Sequence, residues 1–369
     1  MRVLYFTVGD SPHDRRFLRA LGGTSHQIFV LRKMSCLPMT PAGVVEIGWP
    51  QGQPDWSHWH GWQAGIGQLK GIIHEVRPDI LHAGPVQGPA LLAALAGFHP
   101  LLTISWGSDL LLQAGRSPWM RYATRYTLDR TDFLLADCQT VADEALHYGF
   151  PATNLVQFPW GVDLDHFSVQ NGQEDGLALR RALGWKGNFV ILCNRTWAPP
   201  YGVDLLAKAF VKAVAVNHNL RLLLVGDGPQ RDLIRRILDN LGEYVECPGW
   251  VDRATLPGYY CAADLYVSPS HCDGSSVSLL EALACSRPAL VSDIPSNQEW
   301  VSPGVNGDLF HDNDSGSFIE KLCSMSCDPG LEPLGERSRV IAEERADWSE
   351  NFAHLLEAYQ QAVRRFGGL

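Results

Sequence analysis

The chain has 369 residues, of which 46% are hydrophobic and 19% charged, an ordinary globular composition with room for two or three domains. Its formal net charge of -10 argues against a nucleic-acid-binding protein, because such proteins need a basic surface. The longest apolar stretch, residues 91–106, is interrupted by His99 and Pro100 and falls short of the roughly 20 residues of a membrane-spanning helix.

The first half of the chain alternates apolar strands with helical segments, a pattern that predicts a parallel sheet covered by helices. Helical patterns lie between several of the strands, notably at residues 62–76 and 120–130. The predicted strands cover residues 3–8, 27–31, 44–47, 79–83, 101–106, 132–136 and 155–158.

Since Met1 leads directly into the first predicted strand, we expect no signal peptide. The cysteines are scattered along the sequence, so we expect a cytoplasmic protein with free thiols.

A polar stretch at residues 168–176, rich in Gly, Asn and charge, predicts a linker or a domain boundary. The alternation then restarts, with strands at 189–193, 221–225, 245–246, 264–267 and 289–292 and a final amphipathic helix at 351–366. We therefore predict an α/β protein with two Rossmann-like domains facing a cleft: residues 1–170, and residues 171–347. The last segment, 348–369, is expected to pack back on the first domain. Ligands of open α/β sheets bind beyond the carboxyl ends of the strands, so the cleft is the predicted active site.

The stretch 268–281, SPSHCDGSSVSLLE, joins a buried strand to a buried helix through a short polar loop that contains Asp273 and Gly274. The beginning of such a helix favours anions, because its first N–H groups and the positive end of its dipole face the ligand. Glu281 lies among apolar neighbours on this helix, and an unpaired buried polar group costs roughly 2–7 kcal/mol. Two partners remain open: a capping box, Ser278-x-x-Glu281, or a pair of ligand hydroxyls.

Two loops of the first half contain further candidates. Gly9 permits a tight turn after the first strand, and His13 is either a substrate contact or a solvated side chain. Trp106 and Asp109 follow the strand at 101–106 and either form the floor of a sugar pocket or leave Asp109 as a helix cap. A dinucleotide-binding G-x-G-x-x-G is absent from the first loop, which argues against an NAD enzyme.

The second half adds a cation and a glycine turn. Arg195 follows its first strand and would neutralise a diphosphate with its planar donors, or else it is a surface arginine paired with an acid. Gly226 begins the strand-to-helix turn Gly226-Asp227-Gly228-Pro229. Two D-x-D sequences, at 163–165 and 312–314, lie in polar loops and are interpreted as solvated loops or turn formers rather than metal ligands. We therefore expect no metal and no cofactor.

The segment 116–130 combines arginines with aromatic residues and has two interpretations. It would rest on an anionic membrane that holds a lipid-linked acceptor, or it is an ordinary surface helix with Tyr and Met packed inward. The residues concerned are Arg116, Arg121, Arg125 and Arg130 beside Trp119, Met120, Tyr122 and Tyr126.

Together these segments resemble the retaining GT-B glycosyltransferases of the group-1, or family-4, type. The family's pattern of an acid, seven residues and Glu is matched by Asp273 and Glu281 inside a P-S-x-x-(acid)-G…L-x-E-A-(M/L)-A stretch. Further blocks agree in order over nearly the whole chain, at residues 159–167, 194–206, 226–229, 248–264 and 306–310.

The resemblance implies roles for individual residues. Glu281 would bind the ribose hydroxyls of a donor nucleotide, Asp273 the hydroxyls of the donor sugar, and Arg195 the leaving phosphate. Backbone N–H groups of Ser276, Val277 and Ser278 would hold the diphosphate. The other expected donor-binding positions are Gly9, Trp106, Tyr201, Gly226, Trp250, Val251 and Gly274. His13 and Asp109 are the candidate acceptor contacts.

The sequence departs from the family pattern at three positions. Asp273 is shorter than the usual Glu by one methylene, and Trp106 stands where many members have His. The lysine that shares the diphosphate is replaced, because Tyr201 stands six residues after Arg195. A phenol with a reference pKa of about 10 carries no charge at neutral pH.

The resemblance implies a metal-independent, retaining transfer of a sugar from a nucleotide-sugar donor, with a UDP-sugar favoured. The acceptor would be a hydroxyl of a carbohydrate or lipid-linked molecule in polysaccharide, glycolipid or glycoconjugate synthesis, and the protein cytoplasmic or peripheral at the inner membrane face. Two other functions stay open. One is a non-catalytic sugar-nucleotide sensor or partner subunit, and the other is a sugar-nucleotide epimerase of the same architecture.

Overall fold

The computed structural model describes residues 1–34 and 40–366, which form two compact units. The first unit contains residues 1–158 and the chain from Phe352 onward, and the second runs from Pro159 to Asn351. The change of unit thus follows Phe158, ahead of the polar stretch at 168–176.

The first unit is built on a seven-stranded parallel sheet with the order β3-β2-β1-β4-β5-β6-β7. Its central strands are runs of buried, mainly apolar residues, as is usual for a parallel sheet covered by helices on both faces. The strands are β1 (Arg2–Thr7), β2 (Gln27–Arg32), β3 (Val44–Ile47), β4 (Ile80–Ala83), β5 (Leu101–Ile104), β6 (Phe133–Ala136) and β7 (Leu155–Gln157). The helices are α1 (Pro12–Gly22), α2 (Trp59–Val76), α3 (Leu91–Ala96), α4 (Pro118–Leu128) and α5 (Gln139–His147).

The second unit is built on a six-stranded parallel sheet with the order β10-β9-β8-β11-β12-β13. Its strands are β8 (Phe189–Cys193), β9 (Leu220–Val225), β10 (Val245–Gly249), β11 (Leu265–Ser268), β12 (Ala289–Ser292) and β13 (Gly307–Phe310). Its helices are α6 (Val169–Ala182), α7 (Val203–Val216), α8 (Arg231–Leu238), α9 (Leu256–Ala262), α10 (Val277–Ala284), α11 (Pro295–Gln298), α12 (Ser315–Ser326) and α13 (Leu331–Arg345). The prediction of two Rossmann-like sheets is confirmed, although β13 was not expected as a strand.

The last helix, α14 (Trp348–Phe366), belongs to the first unit from Phe352 onward, as expected for a returning C-terminal helix. Tyr359 of this helix is fully buried, and its hydroxyl lies 2.6 Å from Nδ1 of His82 on β4. Burial lowers the pKa of His82 to about 3, so the imidazole is neutral and can share a hydrogen with the phenol.

The prediction of a linker at residues 168–176 is wrong, because this stretch begins α6. Ser168 caps the helix, and its hydroxyl accepts a hydrogen bond from the N–H of Asn171 at 3.3 Å. Gly172 and Gly176 face α9: a Cβ on Gly172 would lie 2.3 Å from the Pro257 carbonyl oxygen. The two glycines therefore allow close packing of two helices, a requirement that composition alone does not distinguish from a flexible segment.

Candidate functional site

The loop between β11 and α10 ends in a helix cap. Ser276 is the N-cap of α10, and its hydroxyl accepts a hydrogen bond from the N–H of Leu279 at 3.4 Å. The first N–H groups of a helix have no partner within the helix and lie at the positive end of its dipole. The beginning of α10 is therefore suited to an anion, and the anion site predicted there stays a prediction.

Arg195 follows β8 and reaches the beginning of α10. Its Nη1 donates to the hydroxyl oxygens of Ser276 at 2.6 Å and Ser278 at 3.0 Å, and its Nη2 forms an ion pair with Asp273. Only 9% of the residue is exposed, so Arg195 is not a surface arginine. A buried cation at the beginning of a helix adds to the attraction for a phosphate group.

Tyr201 lies against the guanidinium of Arg195. The guanidinium carbon is 4.5 Å from the centre of the phenol ring, a cation–π distance. Burial raises the pKa of Tyr201, so its hydroxyl is neutral at physiological pH. Tyr201, in the family's lysine position, thus helps to hold the guanidinium of Arg195 in place and adds no charge of its own.

Asp273 makes its ionic contact with Arg195, and 17% of its side chain is exposed. Its Oδ1 also accepts a hydrogen bond from the N–H of Gly274 at 3.1 Å. Burial raises the pKa of this carboxyl, and the positive charge of Arg195 opposes that change. The ion pair holds together two residues to which the resemblance gives separate contacts with the donor.

Glu281 is half-buried rather than buried, and Oε2 accepts a hydrogen bond from the Tyr260 hydroxyl at 2.7 Å. The capping-box alternative is wrong, because Ser276 and not Ser278 is the N-cap. Glu281 therefore lies in the second turn of α10, with a side chain from α9 as a partner.

Three loops meet at the carboxyl ends of β8, β9 and β10. Gly226 has φ of 109°, and its N–H donates to the Gly249 carbonyl at 2.7 Å. A Cβ on Gly226 would lie 3.2 Å from the carbonyl oxygen of Arg195, so the absence of a side chain permits this approach. Trp250 follows Gly249 with 72% of its surface exposed, and Val251 is half-buried.

The first unit brings His13 and Trp106 together. Their rings are stacked with centres 5.3 Å apart, and Phe17 packs against the edge of Trp106 at 5.9 Å. Gly9, in the neighbouring turn, accepts a hydrogen bond from Nε of Arg32 at 3.1 Å. His13 is therefore not a solvated loop side chain, because it belongs to an aromatic cluster.

The carboxylate of Asp109 links two loops through hydrogen bonds. It accepts from the Ser105 hydroxyl at 2.7 Å and from the N–H groups of Trp106 at 3.0 Å and Val86 at 2.9 Å. Burial raises the pKa of Asp109, and the hydrogen bonds from Val86 and Ser105 oppose the change. The alternative of a helix cap is wrong, because two of these donors precede Asp109 and the third, Val86, lies in another loop. Asp109 also lines a cavity of about 270 Å³ with Trp106 and six further residues, Pro85, Gln87, Gly88, Ser108, Gln113 and Met120.

Aspartates of both D-x-D sequences have hydrogen-bond or ionic partners within the protein. Asp163 accepts from Arg253 at 3.3 Å, and Asp312 lies 2.5 Å from Nδ1 of His271. Asp314 caps α12 by accepting from the N–H of Gly316 at 2.8 Å. Within residues 1–34 and 40–366, no three His, Cys, Asp or Glu side chains are grouped as metal ligands would be.

Helix α4 presents aromatic side chains to solvent. Trp119 is 59% exposed and Tyr122 is 58% exposed, and their rings stack at 5.8 Å. Arg121 and Arg125 are exposed on the same helix. The expectation of an ordinary helix with Tyr packed inward is thus wrong for Tyr122. Among the described helices, none has the length and apolar character that crossing a bilayer requires.

Sequence reasoning missed the phenols and the amide that support the site. Tyr260 contacts Glu281, Asn194 contacts Tyr260, and the Tyr266 hydroxyl lies 2.8 Å from Ser278 Oγ. All three residues lie in apolar strands or helices or directly beyond one. A signal was present, because a tyrosine inside an apolar element usually needs a partner for its hydroxyl.

Two protein-family models match most of the chain. The model of group 1 glycosyl transferases matches residues 188–328, and the model of glycosyl transferase 4-like proteins matches residues 2–138. The chain belongs to the group-1, family-4 type of glycosyltransferases, and its two parallel sheets are those of the GT-B fold.

Curated relatives carry glycosyltransferase names. The chain is 28% identical over 200 residues to a GDP-mannose-dependent monoacylated alpha-(1-6)-phosphatidylinositol monomannoside mannosyltransferase of Corynebacterium glutamicum, covering 52% of this chain and 51% of the relative. It is also 28% identical over 251 residues to a D-inositol 3-phosphate glycosyltransferase of Xylanimonas cellulosilytica, covering 64% and 58%. The chain thus spans little more than half the length of these relatives.

Solved structures share the fold over the full chain. HepE of Anabaena in complex with UDP has a TM-score of 0.77 at 19% identity, with 100% of both chains covered. Sucrose-phosphate synthase of Thermosynechococcus elongatus has a TM-score of 0.80 at 19% identity, with 98% of both chains covered.

Proposed function

We propose that this protein transfers a sugar from a nucleotide-sugar donor to a hydroxyl acceptor with retention of configuration and without a metal ion. The observation that carries the proposal is the buried guanidinium of Arg195 at the beginning of α10, next to Ser276 and Ser278. Positive charge and free helix N–H groups in one place favour a diphosphate leaving group. Glu281 lies one helical turn further on and is the proposed ribose ligand.

In the proposed reaction, the acceptor oxygen forms a bond to the anomeric carbon on the face from which the phosphate oxygen departs. The acceptor proton moves to that phosphate oxygen, and a nucleoside diphosphate leaves. Arg195 and the beginning of α10 stabilise the growing charge of the diphosphate, a task that a metal ion performs in other enzymes. Turnover that falls when EDTA is added would contradict the metal-independent form of this proposal.

A panel of UDP-, GDP- and ADP-sugars tests the donor. We expect a UDP-sugar to raise the thermal midpoint of unfolding most, because the structural neighbour HepE was solved in complex with UDP. The panel includes GDP-sugars because one sequence relative is named GDP-mannose-dependent. A ligand at a hundred times its Kd adds about 2.7 kcal/mol to the folded state, a shift of several degrees. Uridine is the matched control, since it lacks the diphosphate that Arg195 would hold. A panel without any shift would contradict the proposed donor site.

Product analysis without an acceptor separates the remaining functions. A transferase gives only slow hydrolysis of the donor under these conditions, whereas an epimerase accumulates a new sugar nucleotide. A second assay, with a panel of acceptors, identifies a sensor or partner subunit. Such a protein binds the nucleotide sugar but forms no product with any acceptor.

We also propose that α4 rests on an anionic membrane surface. Exposed Trp119 and Tyr122 suit the interfacial region, and the neighbouring Arg121 and Arg125 suit anionic headgroups. Two relatives bear the names of glycolipid enzymes, the phosphatidylinositol monomannoside mannosyltransferase and an alpha-monoglucosyldiacylglycerol synthase of Acholeplasma laidlawii. The acceptor proposed on this basis is lipid-linked.

Co-sedimentation with phosphatidylglycerol vesicles at low salt tests the membrane proposal. Arg121→Glu with Arg125→Glu should abolish most binding, since each basic residue near an anionic surface contributes about 1 kcal/mol. The matched control is Arg235→Glu with Arg236→Glu, two exposed arginines of α8 in the other unit, which should leave binding unchanged. If wild-type protein stays in the supernatant, the membrane proposal is wrong.

A further inference from the structure

Tyr260 is a fully buried tyrosine of α9 whose hydroxyl has three polar neighbours. Asn194 Nδ2 lies 2.7 Å away, Glu281 Oε2 2.7 Å away and the carbonyl oxygen of Ser278 3.1 Å away. A phenol has one hydrogen to donate and lone pairs that accept. The three contacts therefore limit how the hydroxyl can be oriented.

The orientation follows from the chemistry of the neighbours. The amide nitrogen of Asn194 is a donor, so the Tyr260 oxygen accepts from it. The hydrogen of the phenol is then directed at Glu281, because that contact is shorter than the one to Ser278 and a carboxylate is the stronger acceptor. Burial and the nearby charge of Glu281 raise the pKa of Tyr260, so the phenol keeps its hydrogen at neutral pH.

We propose that Tyr260 is a positioning residue that holds the carboxylate of Glu281 in place for the ribose hydroxyls of the donor, with Asn194 orienting Tyr260 in turn. The inference rests on the proposed role of Glu281. A glutamate side chain loses rotamer freedom when it binds a ligand, and a side chain that is already held loses less. Asn194 precedes Arg195 in the chain, so one segment beyond β8 arranges both the carboxylate and the cation.

The test compares a nucleoside diphosphate with its 2′-deoxy form by calorimetry, using whichever of UDP, GDP and ADP binds the wild-type protein most tightly. We expect wild-type protein to bind the ribose form about tenfold more tightly, the effect of one hydrogen bond to a charged group. Glu281→Gln should remove most of this preference. Tyr260→Phe should reduce the ratio about threefold or more and leave the affinity for the deoxy form nearly unchanged.

A merely structural role for Tyr260 predicts a different result, namely equal losses of affinity for both ligands and an unchanged ratio. That outcome would overturn the inference while leaving the role of Glu281 intact. If Glu281→Gln itself keeps the preference, or if none of the three diphosphates binds, the proposed ribose contact fails and the inference with it.

Two further variants complete the design. Tyr259→Phe changes the adjacent, half-buried tyrosine, which has no proposed role, and should keep the wild-type ratio. Asn194→Ala removes the donor that orients Tyr260 and should reduce the ratio in the same direction. The thermal midpoint of Tyr260→Phe shows whether that variant folds. If it does not fold, Asn194→Ala tests the inference in its place.

Discussion

Replacing Arg195 with alanine should lower kcat by about a hundredfold to a thousandfold, the usual effect of removing one group that stabilises developing negative charge. We expect this loss because Arg195 is only 9% exposed and its guanidinium donates a hydrogen bond to Ser276 at the beginning of α10. Arg195→Lys should retain part of the rate, because lysine keeps the charge but lacks the planar donors. Steady-state kinetics with the best donor of the panel measures both effects.

The alanine variant also leaves Asp273 without its cation, and breaking a buried ion pair costs about 3–5 kcal/mol. Arg195→Ala combined with Asp273→Asn removes the orphaned charge and should restore the folded state but not the rate. Arg221→Ala is the matched control, because Arg221 also stacks on a tyrosine, with its guanidinium carbon 4.6 Å from the Tyr244 ring centre, and lies outside the proposed site. A folded Arg195→Ala protein with full turnover would refute the assignment.

Gly172→Ala should lower the free energy of unfolding by about 2–3 kcal/mol, the typical cost of overfilling a packed interface. The new Cβ would lie 2.3 Å from the oxygen and 2.5 Å from the carbon of the Pro257 carbonyl, so α6 and α9 would have to separate. Backbone atoms cannot move aside as a flexible side chain can. Urea denaturation followed by circular dichroism measures the change.

The same substitution at Gly71 provides the control. Gly71 is exposed in the body of α2, and a Cβ there would meet nothing within 4 Å. Gly71→Ala should therefore raise the free energy of unfolding, by up to about 1 kcal/mol from helix propensity. Equal effects of the two substitutions would show that packing between α6 and α9 does not determine the need for Gly172.

Much of the fold could be predicted because it is encoded locally. Buried strands such as β8 and β12 are continuous apolar runs, and their predicted limits agree with the observed ones. The loop before α10 was recognised for the same reason, since a strand, a polar turn and an apolar helix follow one another within twenty residues. The short edge strand β13 was missed, because Gly307–Phe310 has no such run.

The contacts of the candidate site required the structure. Glu281 was recognised as a carboxylate that needs a partner, but its hydrogen bond to Tyr260 joins residues on two different helices. Likewise, Arg195 was expected to face a phosphate, and its ion pair with Asp273 links positions 78 residues apart. The spacing of residues within one helix or strand cannot predict contacts between residues on different elements, because the packing of those elements brings the residues together.

The sequence by itself determined two parallel α/β sheets and the family, and it predicted an anion site at the beginning of α10, because these follow from local periodicity and short ordered motifs. Only the tertiary structure decided that residues 169–176 are helical, that Tyr201 stacks on Arg195, and that Tyr260 contacts Glu281. The physical reason is common to all three. A close approach of helices, a cation–π contact and a buried hydrogen bond depend on distances between elements, and those distances are set by how the whole core packs.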